Sequence, residues 1–132
     1  MPAAPLALVV DDDADTREMY GWCLEGHGYR VRLAGSVPAA LTHTADEIPD
    51  VVITDYTLPG GDGFGLAEAL RSSARTSEVA LVLVSGRSFD GEAKALADRL
   101  FDLVLLKPVL PDDLASRVVP LAAGRSARDL MI

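Results

Sequence analysis

The chain has 132 residues, 49% of them apolar, and a net charge of -8 from 20 acidic and 12 basic residues. This length and apolar content fit one folded domain and exclude a disordered chain. Because an acidic surface repels the nucleic-acid backbone, no direct nucleic-acid binding is expected. The single cysteine, Cys23, excludes an internal disulfide. With no basic signal-peptide start and no apolar stretch near the roughly 20 residues of a membrane span, we expect a cytoplasmic protein without membrane contact.

The first half of the chain alternates between predicted strands and helices. The continuous apolar run at 6–10 is typical of a strand buried on both faces, and a helix follows it and stops near Gly26 and Gly28. One face of that helix, predicted to be buried, contains Met19, Tyr20, Cys23, Leu24 and His27. A second strand at 29–34 precedes a helix that Ser36 can cap. The third strand then runs straight into Asp55.

The second half continues the same alternation. The predicted elements are, in order, a loop at 57–63, a helix at 64–72, a strand at 79–84 ending at Ser85, a helix at 91–100, a strand at 103–106 ending at Lys107 and a last helix opened by Pro111, Asp112 and Asp113. Pro120 is expected to end or bend that helix.

Five strands alternating with helices predict the α/β fold class, with a doubly wound parallel sheet and helices on both faces. The domain is expected to span residues 1–123. Residues 124–132 have no partner in the pattern and are expected to form a C-terminal tail or linker.

Polar side chains collect where four of the predicted strands end. They are Asp11 and Asp12 after the first strand, Asp55 after the third, Ser85 after the fourth and Lys107 after the fifth. Ligands of open parallel sheets bind beyond these carboxyl ends. Neighbouring carboxylates repel unless a cation compensates them, and Mg²⁺ suits such oxygen ligands. With a lysine and a hydroxyl, the set can stabilise a phosphoryl group in transfer, one carboxylate being the nucleophile. The residue types alone do not choose which carboxylate that is.

Four segments together resemble the response-regulator receiver family. They are Leu8–Asp12, Ile53–Pro59 followed by Asp62-Gly63, Val84–Gly86 and Leu106–Pro108. The resemblance covers residues 6 to about 120. It implies a flavodoxin-like fold with strand order 2-1-3-4-5.

The resemblance also implies a role for each site residue. Asp55 would be the phosphoacceptor, Asp11 and Asp12 would hold Mg²⁺ with Asp55 and the Thr57 backbone carbonyl, Ser85 and Lys107 would contact the phosphoryl group, and Lys107-Pro108 would be a cis peptide. The phosphodonor would be a histidine kinase or a histidine phosphotransfer protein. The protein would be a switch rather than a conventional enzyme, although Mg²⁺-dependent self-phosphorylation and self-dephosphorylation would be its own chemistry.

The implied output surface is formed by the fourth helix, fifth strand and fifth helix. It would include Val104 and Val109, respond to Ser85, and bind a second copy or a downstream protein. Val104 stands where the family often has an aromatic residue. By the same resemblance, Thr57 and Arg87 occupy positions where members of the family tune the lifetime of the phosphate. Trp22, away from the buried face of its helix, is a hypothetical contact for the kinase.

Three other interpretations use the same residues. The acids at 11–15 could simply begin a helix. A phosphohydrolase with an aspartyl-phosphate intermediate would use Asp11 and Asp13, although Asp15 breaks its motif. A degenerate receiver would only bind partners, but it would have lost site residues that this chain retains. The sequence leaves open whether an output domain is attached, and it does not identify the kinase.

Overall fold

The computed structural model describes residues 4–130, and side chains up to Leu121. Its strands are β1 (Leu6–Val10), β2 (Arg30–Ala34), β3 (Val51–Asp55), β4 (Thr57–Leu58), β5 (Gly61–Asp62), β6 (Ala80–Ser85) and β7 (Leu103–Leu106). Its helices are α1 (Ala14–Gly26), α2 (Val37–Asp46), α3 (Gly63–Ser72), α4 (Gly91–Leu100) and α5 (Pro111–Leu130). The described part of the chain contains no helix that is long and apolar enough to cross a membrane.

The main sheet is parallel, with the order β2-β1-β3-β6-β7. This order confirms the predicted doubly wound arrangement, because it reads 2-1-3-4-5 once the short strands β4 and β5 are set aside. These two strands pair with each other in an antiparallel hairpin. The hairpin occupies most of the segment that the sequence predicted as a plain loop.

The central strands are buried on both faces because their side chains alternate between two cores. In β1, for example, Leu8 and Val10 pack on one side of the sheet with α2, α3 and α4. Ala7 and Val9 pack on the other side against α1 and α5. The continuous apolar runs of the sequence thus reflect a sheet covered by helices on both faces.

Polar caps fix where three helices begin. The side chain of Asp13 accepts a hydrogen bond from the Thr16 backbone at the start of α1. Ser36 does the same for α2 and Asp62 for α3. The caps start these helices immediately after the strand ends or turns that carry functional residues. Ser36 is thereby confirmed as the cap of its helix.

One expectation for the first helix is wrong, and one of the two alternatives for the last helix is excluded. Met19 and His27 are exposed, because α1 packs through a narrower stripe centred on Tyr20 and Leu24. Helix α5 does not end at Pro120 but contains it. The proline is exposed, so the carbonyl left without its helical partner can be hydrated, although a proline inside a helix still costs about 3 kcal/mol.

The backbone of α5 remains helical through residue 130, across most of the segment expected to form a tail. Residues 131 and 132 lie outside the described part of the chain. The domain boundary at residue 123 and the linker role of the following residues stay predictions.

Ion pairs cover the β2 edge of the sheet. Arg30 pairs with Glu47 just beyond α2, and Arg32 pairs with both Glu47 and Asp46. These side chains place alternating charges beside an edge strand, which discourages pairing with another chain.

Arg71 at the end of α3 binds two separate backbone segments. Its guanidinium donates to the carbonyls of Leu100, Ser77 and Val79 at distances of 3.0, 2.8 and 2.7 Å. It also pairs with Asp102 at 3.1 Å. One partly buried side chain thus connects α3, the start of β6 and the turn before β7.

We expect Arg71→Ala to lower the free energy of unfolding by roughly 1–3 kcal/mol, because carbonyls that are partly shielded from water lose their donor. Urea unfolding would measure the change. Arg75→Ala is the matched control, since Arg75 is exposed and makes one long hydrogen bond of 3.5 Å. Equal losses in the two variants would contradict the structural role of Arg71.

Candidate functional site

Three carboxylates meet at the carboxyl edge of the sheet. Asp11 follows β1 and is buried, Asp12 beside it is exposed, and Asp55 is the last residue of β3. One oxygen of each lies within 4.8 Å of the others, which is close enough for all three to ligate one cation. The structure therefore brings together the three acids predicted to form the metal site.

Lys107 supplies the positive charge beside these acids. It follows β7, and its Nζ lies 3.0 Å from Oδ2 of Asp55 and 3.8 Å from Oδ2 of Asp11. Its backbone N–H donates to the Ser85 carbonyl at 2.7 Å, which continues the pairing of β6 and β7. The peptide bond between Lys107 and Pro108 is cis, as the family resemblance predicted.

The surroundings change the proton affinities of two of these groups. Burial raises the pKa of Asp11, although a hydrogen bond from the Asp13 backbone and the charge of Lys107 oppose the rise. Partial burial acts to lower the pKa of Lys107, but its hydrogen bond to Asp55 and the neighbouring carboxylates raise it overall. Desolvation thus disfavours the ionised form of Asp11, whereas Lys107 stays charged.

The fit of a divalent cation follows from this donor set. Mg²⁺ is a hard cation that prefers carboxylate oxygens, and it would compensate both the desolvation of Asp11 and the mutual repulsion of the acids. Lys107 is a single ammonium facing three carboxylates, so it offsets only part of their charge.

Arg17 and Gly35 hold the end of β1, a role that the sequence reasoning missed. Nη1 of Arg17 donates to the Asp11 carbonyl at 2.8 Å. A Cβ added at Gly35 would lie only 2.9 Å from the same Nη1, so the glycine leaves room for the guanidinium. The two residues are far apart in sequence and no local motif joins them, which is why only the fold reveals the contact.

The backbone around Asp55 is fixed in a similar way. Oδ1 of Asp55 accepts from the Tyr56 N–H at 2.7 Å, and the Tyr56 carbonyl accepts from Gly63 at the same distance. A Cβ at Gly63 would lie 2.6 Å from the Asp55 carbonyl, so only glycine allows α3 to begin so close to β3. The aspartate that bonds Lys107 is therefore held on a tightly packed backbone.

Ser85 and Thr57 lie at the same edge of the sheet as the acids. The Ser85 hydroxyl is buried and donates to the Arg87 carbonyl at 2.9 Å. Thr57 lies in β4, two residues after Asp55. Contact of Ser85 with a phosphoryl group and ligation of metal by the Thr57 carbonyl stay predictions.

The remaining candidates lie outside this cluster. Val104 is 38% exposed on β7, and Val109 packs partly against the core beside α5. The Val109 carbonyl accepts a hydrogen bond from the Tyr20 hydroxyl at 2.8 Å, which ties it to α1. Trp22 is 69% exposed, in agreement with the prediction that it lies away from the buried face of α1.

Comparison with known proteins identifies the family. Residues 7–119, nearly the whole chain, match the sequence pattern of the response regulator receiver domain family. The chain therefore belongs to the response-regulator receiver family.

Two curated relatives are named as regulators. The chain is 32% identical over 111 residues to the DNA-binding response regulator MtrA of Mycobacterium tuberculosis, and 28% identical over 111 residues to the phosphate regulon transcriptional regulatory protein PhoB of Escherichia coli K12. Each match covers 84% of this chain, but only 47% of MtrA and 48% of PhoB. The chain thus spans about half the length of the curated relatives it matches.

Solved structures agree with this assignment. A response regulator from Chloroflexus aurantiacus is 33% identical with a TM-score of 0.80, and the match covers 91% of this chain and 98% of that one. A CheY-like receiver domain from Methylobacillus flagellatus is 27% identical with a TM-score of 0.78, covering 89% and 98%.

We expect Asp11→Asn to stabilise the protein at neutral pH without divalent metal. The raised pKa means that the folded state binds the Asp11 proton more tightly than the unfolded state, so ionisation of Asp11 lowers stability above that pKa. The advantage of Asn should fade as the pH falls from the raised pKa to the ordinary value. Urea unfolding in chelator at several pH values measures this, and a less stable Asn variant at neutral pH would contradict it.

We expect Gly35→Ala and Arg17→Lys each to weaken Mg²⁺ binding roughly tenfold, because the support behind Asp11 is disturbed while the positive charge is kept. Thermal unfolding across a Mg²⁺ titration measures the affinity. The double variant should lose little more than either single one, since both changes break the same contact. Fully additive losses would show that the two residues act separately.

Proposed function

We propose that the chain accepts a phosphoryl group on Asp55 in a Mg²⁺-dependent reaction and thereby changes its binding to a partner protein. The observation that carries the proposal is the 3.0 Å contact between Lys107 Nζ and Oδ2 of Asp55, which is one of the three clustered carboxylates. The phosphodonor would be a histidine kinase or a histidine phosphotransfer protein, in keeping with the receiver family.

Asp55 is the best nucleophile of the three acids. Lys107 Nζ lies 3.0 Å from Oδ2 of Asp55 but 3.8 Å from Oδ2 of Asp11, and the Asp55 side chain is 13% exposed against 6% for Asp11. In the transfer, a carboxylate oxygen of Asp55 bonds to phosphorus while the bond from phosphorus to the donor nitrogen breaks. The donor imidazole leaves with that electron pair, and the product is an acyl phosphate.

The other residues neutralise the charge that this transfer moves. Asp11, Asp12 and Asp55 would hold Mg²⁺, with the Thr57 carbonyl as a further ligand. Mg²⁺ would supply positive charge at the phosphoryl oxygens. Lys107 can remain near Asp55 as a second cation, and the Ser85 hydroxyl would donate to a phosphoryl oxygen. Water attacking phosphorus would break its bond to the Asp55 oxygen, releasing inorganic phosphate and restoring the carboxylate.

The consequence of the modification would be a change in partner binding rather than turnover of a substrate. Phosphorylation would bias two states of the domain, and moving it from mostly inactive to mostly active requires about 5 kcal/mol. The face formed by α4, β7 and α5, with Val104 and Val109, would bind a second copy or a downstream protein. A contact between Trp22 and the kinase remains a hypothesis, which the exposure of this ring supports.

The relatives bear on what the domain controls. MtrA is named a DNA-binding response regulator and PhoB a transcriptional regulatory protein. Because this chain matches only about half of each, an attached output domain is a proposal, and nucleic-acid contact by the acidic receiver itself is not part of it. A position in the cytoplasm, where a kinase could reach the domain, belongs to the same proposal.

The phosphohydrolase alternative is weaker than the receiver function. It would require Asp13 as an acid or base two residues after Asp11. The Asp13 carboxylate instead accepts hydrogen bonds from the backbone N–H and the hydroxyl of Thr16 as the cap of α1. These bonds lower the pKa of Asp13, which disfavours a role as proton donor.

We expect incubation with a small acyl phosphate and Mg²⁺ to add one phosphoryl group, which intact-mass measurement detects. Asp55→Asn should abolish the adduct, because the nucleophilic carboxylate is gone. Asp62→Asn is the matched control, since asparagine can still cap α3 and the site is untouched. An adduct that persists in Asp55→Asn, or forms equally without Mg²⁺, would refute the proposed chemistry.

A further inference from the structure

The hydroxyl of Ser85 is hydrogen-bonded to the backbone of Arg87, in the segment that follows β6. It donates to the Arg87 carbonyl at 2.9 Å and accepts from the Arg87 N–H at 3.1 Å. A serine hydroxyl has one proton, so it cannot donate to this carbonyl and to a phosphoryl group at the same time. Any turn of the hydroxyl towards Asp55 therefore releases the backbone of Arg87.

The side chain of Arg87 packs against two aromatic rings. Its guanidinium carbon lies 5.3 Å from the ring centre of Tyr56 and 5.2 Å from that of Phe89. The two rings meet edge to face at 5.1 Å. Cation–π contacts of this kind are attractive, so they favour joint movement of Arg87 and Phe89.

Tyr56 is the fixed member of this group. Its backbone is bonded to both Asp55 and Gly63, and its ring packs against Phe64 at 5.0 Å. Phe64 is buried in the core, whereas Arg87 is exposed and Phe89 is half-buried. The Phe89 ring also contacts Tyr56 at 5.1 Å and Phe64 at 5.0 Å. Release of the Arg87 backbone therefore moves the Arg87–Phe89 segment only as these ring contacts are exchanged for contacts in a new position.

A groove provides the space for that movement. It has a volume of about 470 Å³ and runs between α4 and β7. Its lining includes Arg87 and Phe89, Ala97 and Phe101, and, on β7, Val104 and Leu106. The groove thus connects the segment held by Ser85 with the exposed side chains of β7.

We propose that Phe89, carried by Arg87, transmits the state of Asp55 to the face formed by α4 and β7. The inference rests on the proposed phosphorylation and specifies how that same site is coupled to the surface. When Ser85 donates to the phosphoryl group, the Arg87 carbonyl loses its donor and the segment shifts. Phe89 then moves into the groove and packs against Val104, which changes the surface that a partner meets.

Hydrogen–deuterium exchange of the full chain tests this coupling, with and without Mg²⁺ and beryllium fluoride as the phosphoryl mimic. In the wild type we expect slower exchange at Asp55 and in β7, where Phe89 would cover the groove. Phe89→Leu and Arg87→Ala should lose the response of β7 while keeping the response at Asp55. Phe89→Tyr and Arg87→Lys should retain both responses, because ring and cation are preserved.

Lys94→Ala is the control for a nonspecific change of the groove. Lys94 lines the groove but pairs with Asp98 along α4 and lies outside the aromatic group. Thermal melting checks that each variant is folded, and the exposed Arg87 offers a substitution outside the core should Phe89→Leu prove unstable.

The outcomes separate this inference from the proposed function. Loss of the β7 response in folded Phe89→Leu or Arg87→Ala, but not in Lys94→Ala, supports the coupling. A β7 response that persists in both variants overturns it, as does a wild type that responds at Asp55 and not at β7. A wild type with no response at Asp55, together with no phosphoryl adduct, refutes the proposed function instead.

Discussion

The arrangement of the whole site follows from the repulsion among three carboxylates at one edge of a parallel sheet. Asp55 ends β3 and Asp11 directly follows β1, so the backbone of neither can move away without disturbing the sheet, and Asp12 comes next in the chain. A single lysine leaves negative charge uncompensated. This edge of the sheet therefore attracts cations, and it can accommodate a phosphoryl group together with its metal ion.

Contacts from outside the cluster hold the acids together against that repulsion. Arg17 fixes the Asp11 carbonyl through the space left by Gly35. Gly63 lets α3 start against the Asp55 carbonyl. Farther away, Arg71 ties α3 to the segments that lead into β6 and β7, the strands that present Ser85 and Lys107. The precision of the site therefore depends on hydrogen bonds that connect strands to helices as much as on the acids themselves.

The sequence predicted the strands and the residues that gather at their ends, because apolar runs and the polar residues after them are local signals, whereas the strand order was implied by the family resemblance. It could not predict the contact between Arg17 and Gly35 or the aromatic group around Arg87, since these join residues that only the sheet order brings together. Burial along α1 was overestimated for Met19 and His27 because helical spacing identifies a face but not the width of the stripe that packs. Of the two alternatives for Pro120, only the end of the helix was wrong, since an exposed break in the hydrogen-bond ladder can be hydrated.

The two edges of the sheet have opposite characters. The β2 edge carries Arg30 and Arg32 with their acidic partners, whereas β7 presents Val104 and Leu106, which is 57% exposed. Strand β7 is only four residues long, and short edges limit runaway pairing. In concentrated solution, self-association should therefore begin at the β7 edge of the sheet rather than at the charged β2 edge. Charged substitutions that improve solubility are therefore best placed at Leu106.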